Sequence, residues 1–146
     1  MECINFMLTA LAIAAGPILG AILGWIAKEE LRPGKKYHIL LQKAIFTLAI
    51  ILLMYANRTN VHYIWVGAAA IFLYYSYYTQ IQEAVIYAAL AVIFYLGADT
   101  NLALPIISLT FLYGLPSGSL LLKNKKQILL NIIMFLLIAA ILYFFP

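Results

Sequence analysis

The chain alternates between long apolar runs and short polar breaks. The apolar runs cover residues 3–27, 39–56, 61–78, 83–98, 102–122 and 128–145. Crossing the hydrocarbon core of a bilayer takes roughly 20 apolar residues in an α-helix. Open strands are excluded in lipid, because their backbone groups would go unsatisfied. The pattern predicts an all-α, polytopic integral membrane bundle of about six transmembrane helices, with residues 1–146 forming a single transmembrane domain. The fourth run is the shortest, at about 16 residues or roughly 24 Å of helix. It shows no continuous charged face, so it reads as a span rather than an interfacial helix.

The breaks have their own signatures. Lys28 through Tyr37 contain the dipeptide Pro33-Gly34, a strong turn signal expected to stop the helix. Asn57 to Asn60, Thr79 to Gln82, Asp99 to Asn101 and Lys123 to Gln127 supply the others. Asn57-Arg58-Thr59 matches the N-glycosylation pattern. It lies too close to a helix end for enzyme access, and is read as chance.

Composition agrees with lipid as the solvent. Hydrophobic residues make up 66% of the chain and charged residues 10%, with a mean hydropathy of +1.02. A soluble domain carries about 25% charged residues because its surface must be wetted. The net charge of +4 does not point to nucleic acid, since the basic residues fall mostly into two clusters between apolar runs. If the break after the first run is cytoplasmic, Lys28, Arg32, Lys35, Lys36, Lys43, Lys123, Lys125 and Lys126 all lie inside, and Arg58 alone lies outside. That bias predicts both termini outside, in a multi-pass plasma-membrane protein. Glu2 precedes any basic residue, so the first run is expected to stay as a helix rather than be cleaved as a signal peptide. Tyr63 and Trp65 at the outer end of the third run, and Tyr74, Tyr75, Tyr77 and Tyr78 at its inner end, are expected at headgroup level.

Cys3 is the single cysteine, so neither an intrachain disulfide nor a CxxC site can form. Gly16, Gly20 and Gly24 repeat every four residues, beside Pro17. Gly114 and Gly118 repeat the spacing around Pro116, with Pro105 earlier. Residues at i, i+4 and i+8 share a helix face, so these glycines predict close helix packing. The first and fifth runs are therefore the expected central helices. A sharper reading has the Gly/Pro positions opening backbone groups to line a cavity.

Glu29 and Glu30 are the candidate functional carboxylates. They follow the C-terminal end of the first helix, where the dipole disfavours negative charge. Either the neighbouring Lys28, Arg32, Lys35 and Lys36 neutralise them, or they form a site for a cation, a proton or a catalytic water. Paired glutamates at a membrane boundary resemble those of CAAX-type intramembrane proteases, but Gly34 stands where that family has arginine, and no suitable histidines follow. Leu96 to Asn101 resembles the second aspartate motif of archaeal type IV prepilin peptidases. Asp99 is, however, the sole aspartate, and is read as a cap for the fifth helix. Glu83 starts the fourth helix, where the dipole favours it. Ser108, Thr110 and Asn131 are expected to bond between helices. His38 and His62 fall on opposite sides and share no metal. No metal and no cofactor is expected.

Three function classes follow. The first is a transporter or channel for a cation or small solute, suggested by many spans with little mass outside them. The second is a non-catalytic subunit or assembly partner of a membrane complex. The third is a membrane-embedded enzyme acting at the cytoplasmic interface through Glu29 and Glu30. The expected partners are the lipid bilayer and either further copies of the chain or another membrane subunit, with no nucleic acid.

Overall fold

A computed structural model describes residues 3–27, 29, 31–58, 61–78, 82–122 and 124–145. Six α-helices follow one another: α1 (Cys3–Ile26), α2 (Leu31–Ala56), α3 (Val61–Tyr77), α4 (Glu83–Gly97), α5 (Ala103–Leu120) and α6 (Lys125–Phe144). Four segments are long and apolar enough to cross a membrane: Ile4–Ile26, Gly34–Ala56, Ala103–Leu120 and Lys125–Phe144. The outer surface is apolar as well, with Trp25, Ile26, Trp65, Phe72 and Leu104 all exposed. In water such a surface would drive aggregation, whereas lipid solvates it at no cost.

Two helix starts differ from the sequence expectation. α2 begins at Leu31 and runs through Pro33-Gly34 instead of starting after them. A proline in the first helical turn sacrifices no hydrogen bond, because the amides there have no intrahelical partner. α6 begins at Lys125, inside the basic cluster, with Asn124 as its N-cap accepting from the Gln127 amide. Pro17 and Pro116 lie inside continuous helices. The expectation that Asp99 caps α5 is corrected: the N-cap position falls on Leu102. The turn is tied instead by Thr100, whose hydroxyl donates to the Gly97 carbonyl at 2.8 Å and accepts from the Leu102 amide at 3.3 Å.

α1 and α5 form the most extensive helix pair, followed by α4 with α6 and α2 with α5. Contact between α1 and α5 is backbone to backbone. A methyl group on Gly16 would stand 2.6 Å from the Phe111 carbonyl oxygen, and one on Gly114 would stand 2.7 Å from the Pro17 nitrogen. Methyl groups on Gly20 and Gly118 would strike the carbonyls of Leu115 and Pro17. The Ser119 hydroxyl closes the contact by donating to the Gly20 carbonyl at 2.8 Å. α3 is peripheral and packs chiefly on α2.

The contacts sort the molecule into two ends. At one, Phe6 from the start of α1 stacks on Phe94 and Tyr143 from the ends of α4 and α6. At the other, Leu23 and Gly24 of α1 and Ala27 just after it meet His38 and Leu41 of α2 and Ser119 of α5 around a cavity of about 260 Å³. Lys35 and Lys36 near the start of α2, Lys43 midway along it with its ammonium over the Tyr78 ring, and Lys125 and Lys126 at the start of α6 belong to this second end.

Candidate functional site

The lysine-rich end holds most of the polar residues that the helices bury. Each of four helical regions contributes a pair spaced i, i+4, and hence on one face. α2 supplies His38 and Gln42. α3 and the turn after it supply Tyr74 and Tyr78. α4 supplies Glu83 and Tyr87, and α5 supplies Tyr113 and Ser117. Gln42 and Tyr113 are 0% exposed, and Tyr74 and Tyr87 only 3%. The rings interlock: Phe46 lies 4.3 Å from Tyr74 and 6.3 Å from Tyr113, and Tyr113 lies 5.8 Å from Tyr87, centroid to centroid.

Glu83, half-buried at the mouth of this cluster, is its one carboxylate among the described residues. The Ser117 hydroxyl donates to its Oε2 at 2.8 Å, which ties the start of α4 to α5. Gln42 lies close by and accepts a 2.7 Å hydrogen bond from the Tyr78 hydroxyl. Its own amide nitrogen is buried and makes no hydrogen bond of good geometry. The same is true of the hydroxyls of Tyr74, Tyr87 and Tyr113. Tyr74 and Tyr113 approach each other, as do Tyr87 and Ser117. Leaving a buried polar group unpaired costs about 1–3 kcal/mol. Several such groups around one carboxylate therefore form an expensive arrangement. At the rim, the Lys43 ammonium lies 4.4 Å from the Tyr78 ring centroid and 5.3 Å from that of Tyr75, within the range of cation–π attraction.

Beyond the tyrosines, toward the opposite end, the core turns apolar. Leu90, Ala91, Phe94, Ile106 and Phe135 are all buried. Thr110, one turn beyond Tyr113, is also buried there, and its hydroxyl is spent on the Ile106 carbonyl of its own helix.

Glu29 stands exposed in the turn between α1 and α2, away from any buried network, and Glu30 lies outside the described residues along with Lys28, Thr59 and Lys123. Gly16, Gly20, Gly114 and Gly118 sit in the α1–α5 contact, and Gly24 lines the cavity beside it. The expectation of interhelical bonds from Ser108 and Thr110 is corrected: they donate to Leu104 and Ile106 in their own helix. The carbonyl four residues back is the nearest acceptor a hydroxyl meets inside an apolar helix. Asn131 likewise accepts from Gln127 of its own helix, at 3.0 Å. Tyr74 belongs to the core rather than to a headgroup belt. Among the described residues no three His, Cys, Asp or Glu side chains gather as a metal site.

Sequence reading passed over Gln42, Tyr87, Tyr113 and Ser117. Their signal was present, as four polar or hydroxyl pairs at i, i+4 within apolar helices. Nothing in one dimension said that the four faces converge. Comparison with family models, with curated proteins and with solved structures finds no match.

Proposed function

We propose that the protein is a six-span plasma-membrane carrier for a cation or small solute, with both termini outside and Glu83 as its binding carboxylate on the cytoplasmic side. The observation that carries this reading is the Glu83–Ser117 hydrogen bond at the mouth of a buried cluster whose donors are not all paired. Ionisable groups held within membrane helices are costly and mark ion or substrate paths. The apolar core beyond Tyr113 supports a carrier that opens to one side at a time over a continuously open channel. Close-packed α1 and α5 supply a rigid body against which the peripheral α3 can move. Glu29, exposed in the turn between α1 and α2 at the same end, raises the local concentration of cations.

The test is flux into liposomes carrying the purified protein, with alkali cations and small organic solutes offered in turn. Glu83→Gln should abolish flux while leaving the protein folded and monodisperse in detergent. Glu29→Gln combined with Glu30→Gln should raise the concentration needed for half-maximal flux by a few-fold and leave the maximal rate within about twofold, the behaviour of a purely steering charge. Full flux in Glu83→Gln would remove this carboxylate from the mechanism.

A further inference from the structure

We infer that the crevice between α2, α3 and α4 is a binding groove for one acyl chain of a glycerophospholipid, whose phosphate is held at the Arg58 end. The site needs lipid around the molecule and nothing from the carrier reading.

The groove has the shape of a chain. It encloses about 370 Å³, within the usual range of roughly 300–1,000 Å³ for small-molecule sites. Its walls run from Phe46 to Met54 on α2, from His62 to Ala70 on α3 and from Ala89 to Leu96 on α4. At about 1.5 Å of rise per residue, each wall is roughly 10–12 Å long. One leaflet of a hydrocarbon core about 30 Å thick is only slightly deeper. α3 and α4 each pack on α2, which forms the floor. Gly67 lets α3 close onto that floor, since a methyl group there would stand 2.5 Å from the Met54 sulfur. Ala70 on α3 and Ala89 on α4 are too short to fill the space between their helices. Val66 and Val92 line the groove and are exposed, so it opens sideways into the membrane.

The lining selects hydrocarbon. Along Phe46–Met54 and Val66–Ala70 the lining side chains present carbon and the Met54 sulfur alone. A buried water needs about two to four polar partners, and this stretch has none to give. An empty slot would forfeit dispersion contacts along its whole lining. An acyl chain entering from the side restores them. At the inner end the Phe46 ring, packed 4.3 Å from that of Tyr74, closes the groove against the tyrosine cluster.

Polarity returns at the mouth, which His62 and Tyr63 line. Arg58 lies one turn beyond Met54, exposed, with its guanidinium 5.4 Å from the centroid of the Tyr55 ring. The described lysines gather at the opposite end of the molecule. Asp99, the described acidic residue at this end, lines a different cavity with Phe6 and Tyr143. A guanidinium at the end of a hydrocarbon slot suits a phosphate, which it binds through two parallel N–H donors. An aliphatic chain that ends in a phosphate headgroup matches both ends of the groove.

Photolabelling of the reconstituted full chain tests this. Vesicles of dioleoylphosphatidylcholine would carry a trace of phosphatidylcholine with a diazirine near the end of one acyl chain. Mass spectrometry would then locate the labelled residues. Labelling should concentrate on Phe46, Ala70 and Ala89, and exceed that of Ile133, which is exposed near the middle of α6. Ala70→Leu combined with Ala89→Leu should fill the groove and lower the labelling of Phe46 to the level of Ile133, with α6 unchanged. A diacylglycerol probe with the same chain should label the wild-type groove less than the phosphatidylcholine probe does, and Arg58→Gln should make the two equal. The wild-type map decides the matter by itself if the double variant does not fold. Labelling spread over the apolar surface in proportion to exposure would overturn the inference and leave only ordinary surrounding lipid. So would photocrosslinks that join two copies of the chain through the groove. Equal labelling by the two probes in the wild-type protein would overturn the part given to the phosphate. Solute flux enters none of these outcomes, so the lipid site and the carrier reading stand or fall separately.

Discussion

At the scale of single residues, the surroundings decide what a carboxylate can do. Glu29 and Glu83 have the same side chain, but one sits in an exposed turn and the other beside a buried serine, a buried amide and buried tyrosines. Water screens the first and does little for the second. The glycines divide in the same way. Gly118 faces the backbone of α1, where a methyl group would collide with the Pro17 carbonyl and the Ala21 amide. Gly34 faces only the His38 ring, at 3.7 Å, an ordinary contact. Gly118→Ala should therefore destabilise the bundle by about 1–3 kcal/mol, the usual range for overpacking. Gly34→Ala should stabilise α2 by roughly 0.5–1 kcal/mol, because glycine costs that much in a helix interior. Thermal melts in one detergent would compare the two, and equal shifts would show that the α1–α5 contact is looser than described.

At the scale of helices, position in the bundle governs mobility. α5 touches α1, α2 and α4, whereas α3 leans chiefly on α2 and turns Trp65, Val66, Phe72 and Leu73 outward. Local opening costs little where few buried contacts must break. Hydrogen exchange read by mass spectrometry should show amides of Val61–Tyr77 exchanging well ahead of those of Ala103–Leu120. Matching protection in the two helices would mean that α3 is held by more than its packing on α2. The prolines teach a related lesson. Pro33-Gly34 is a turn signal in isolation, but in the first turn of α2 it costs nothing. Pro17 and Pro116 sit inside helices, flanked by the α1–α5 contact.

At the scale of the whole molecule, the two ends differ in character. One gathers lysines, tyrosines and Glu83; the other packs Phe6, Phe94 and Tyr143 around Ala98 and Asp99. The proposed orientation puts the lysine-rich end in the cytoplasm. In a Cys3→Ser background, a cysteine placed at exposed Asn101 should react with a membrane-impermeant maleimide in intact cells. One placed at exposed Asn124 should react only after the membrane is opened. Labelling of both from outside would overturn the assignment of six alternating spans.

Much of this was legible in one dimension. Runs of apolar residues long enough to cross lipid, broken by charged turns, already required helices, because no other backbone arrangement satisfies its own hydrogen bonds without water. Glycines four residues apart already required that some backbone come close. Which backbone it is, the strand of chain from Phe111 to Gly118, was settled only in three dimensions, since a smooth face carries no label for its partner. The same holds for the candidate site. Gln42, Tyr78, Glu83 and Ser117 are scattered over four segments, each a minor polar interruption in an apolar run, and each with a bland local explanation. Their meaning comes from convergence, and convergence depends on how helices cross and rotate, a property of summed side-chain packing that no local pattern encodes.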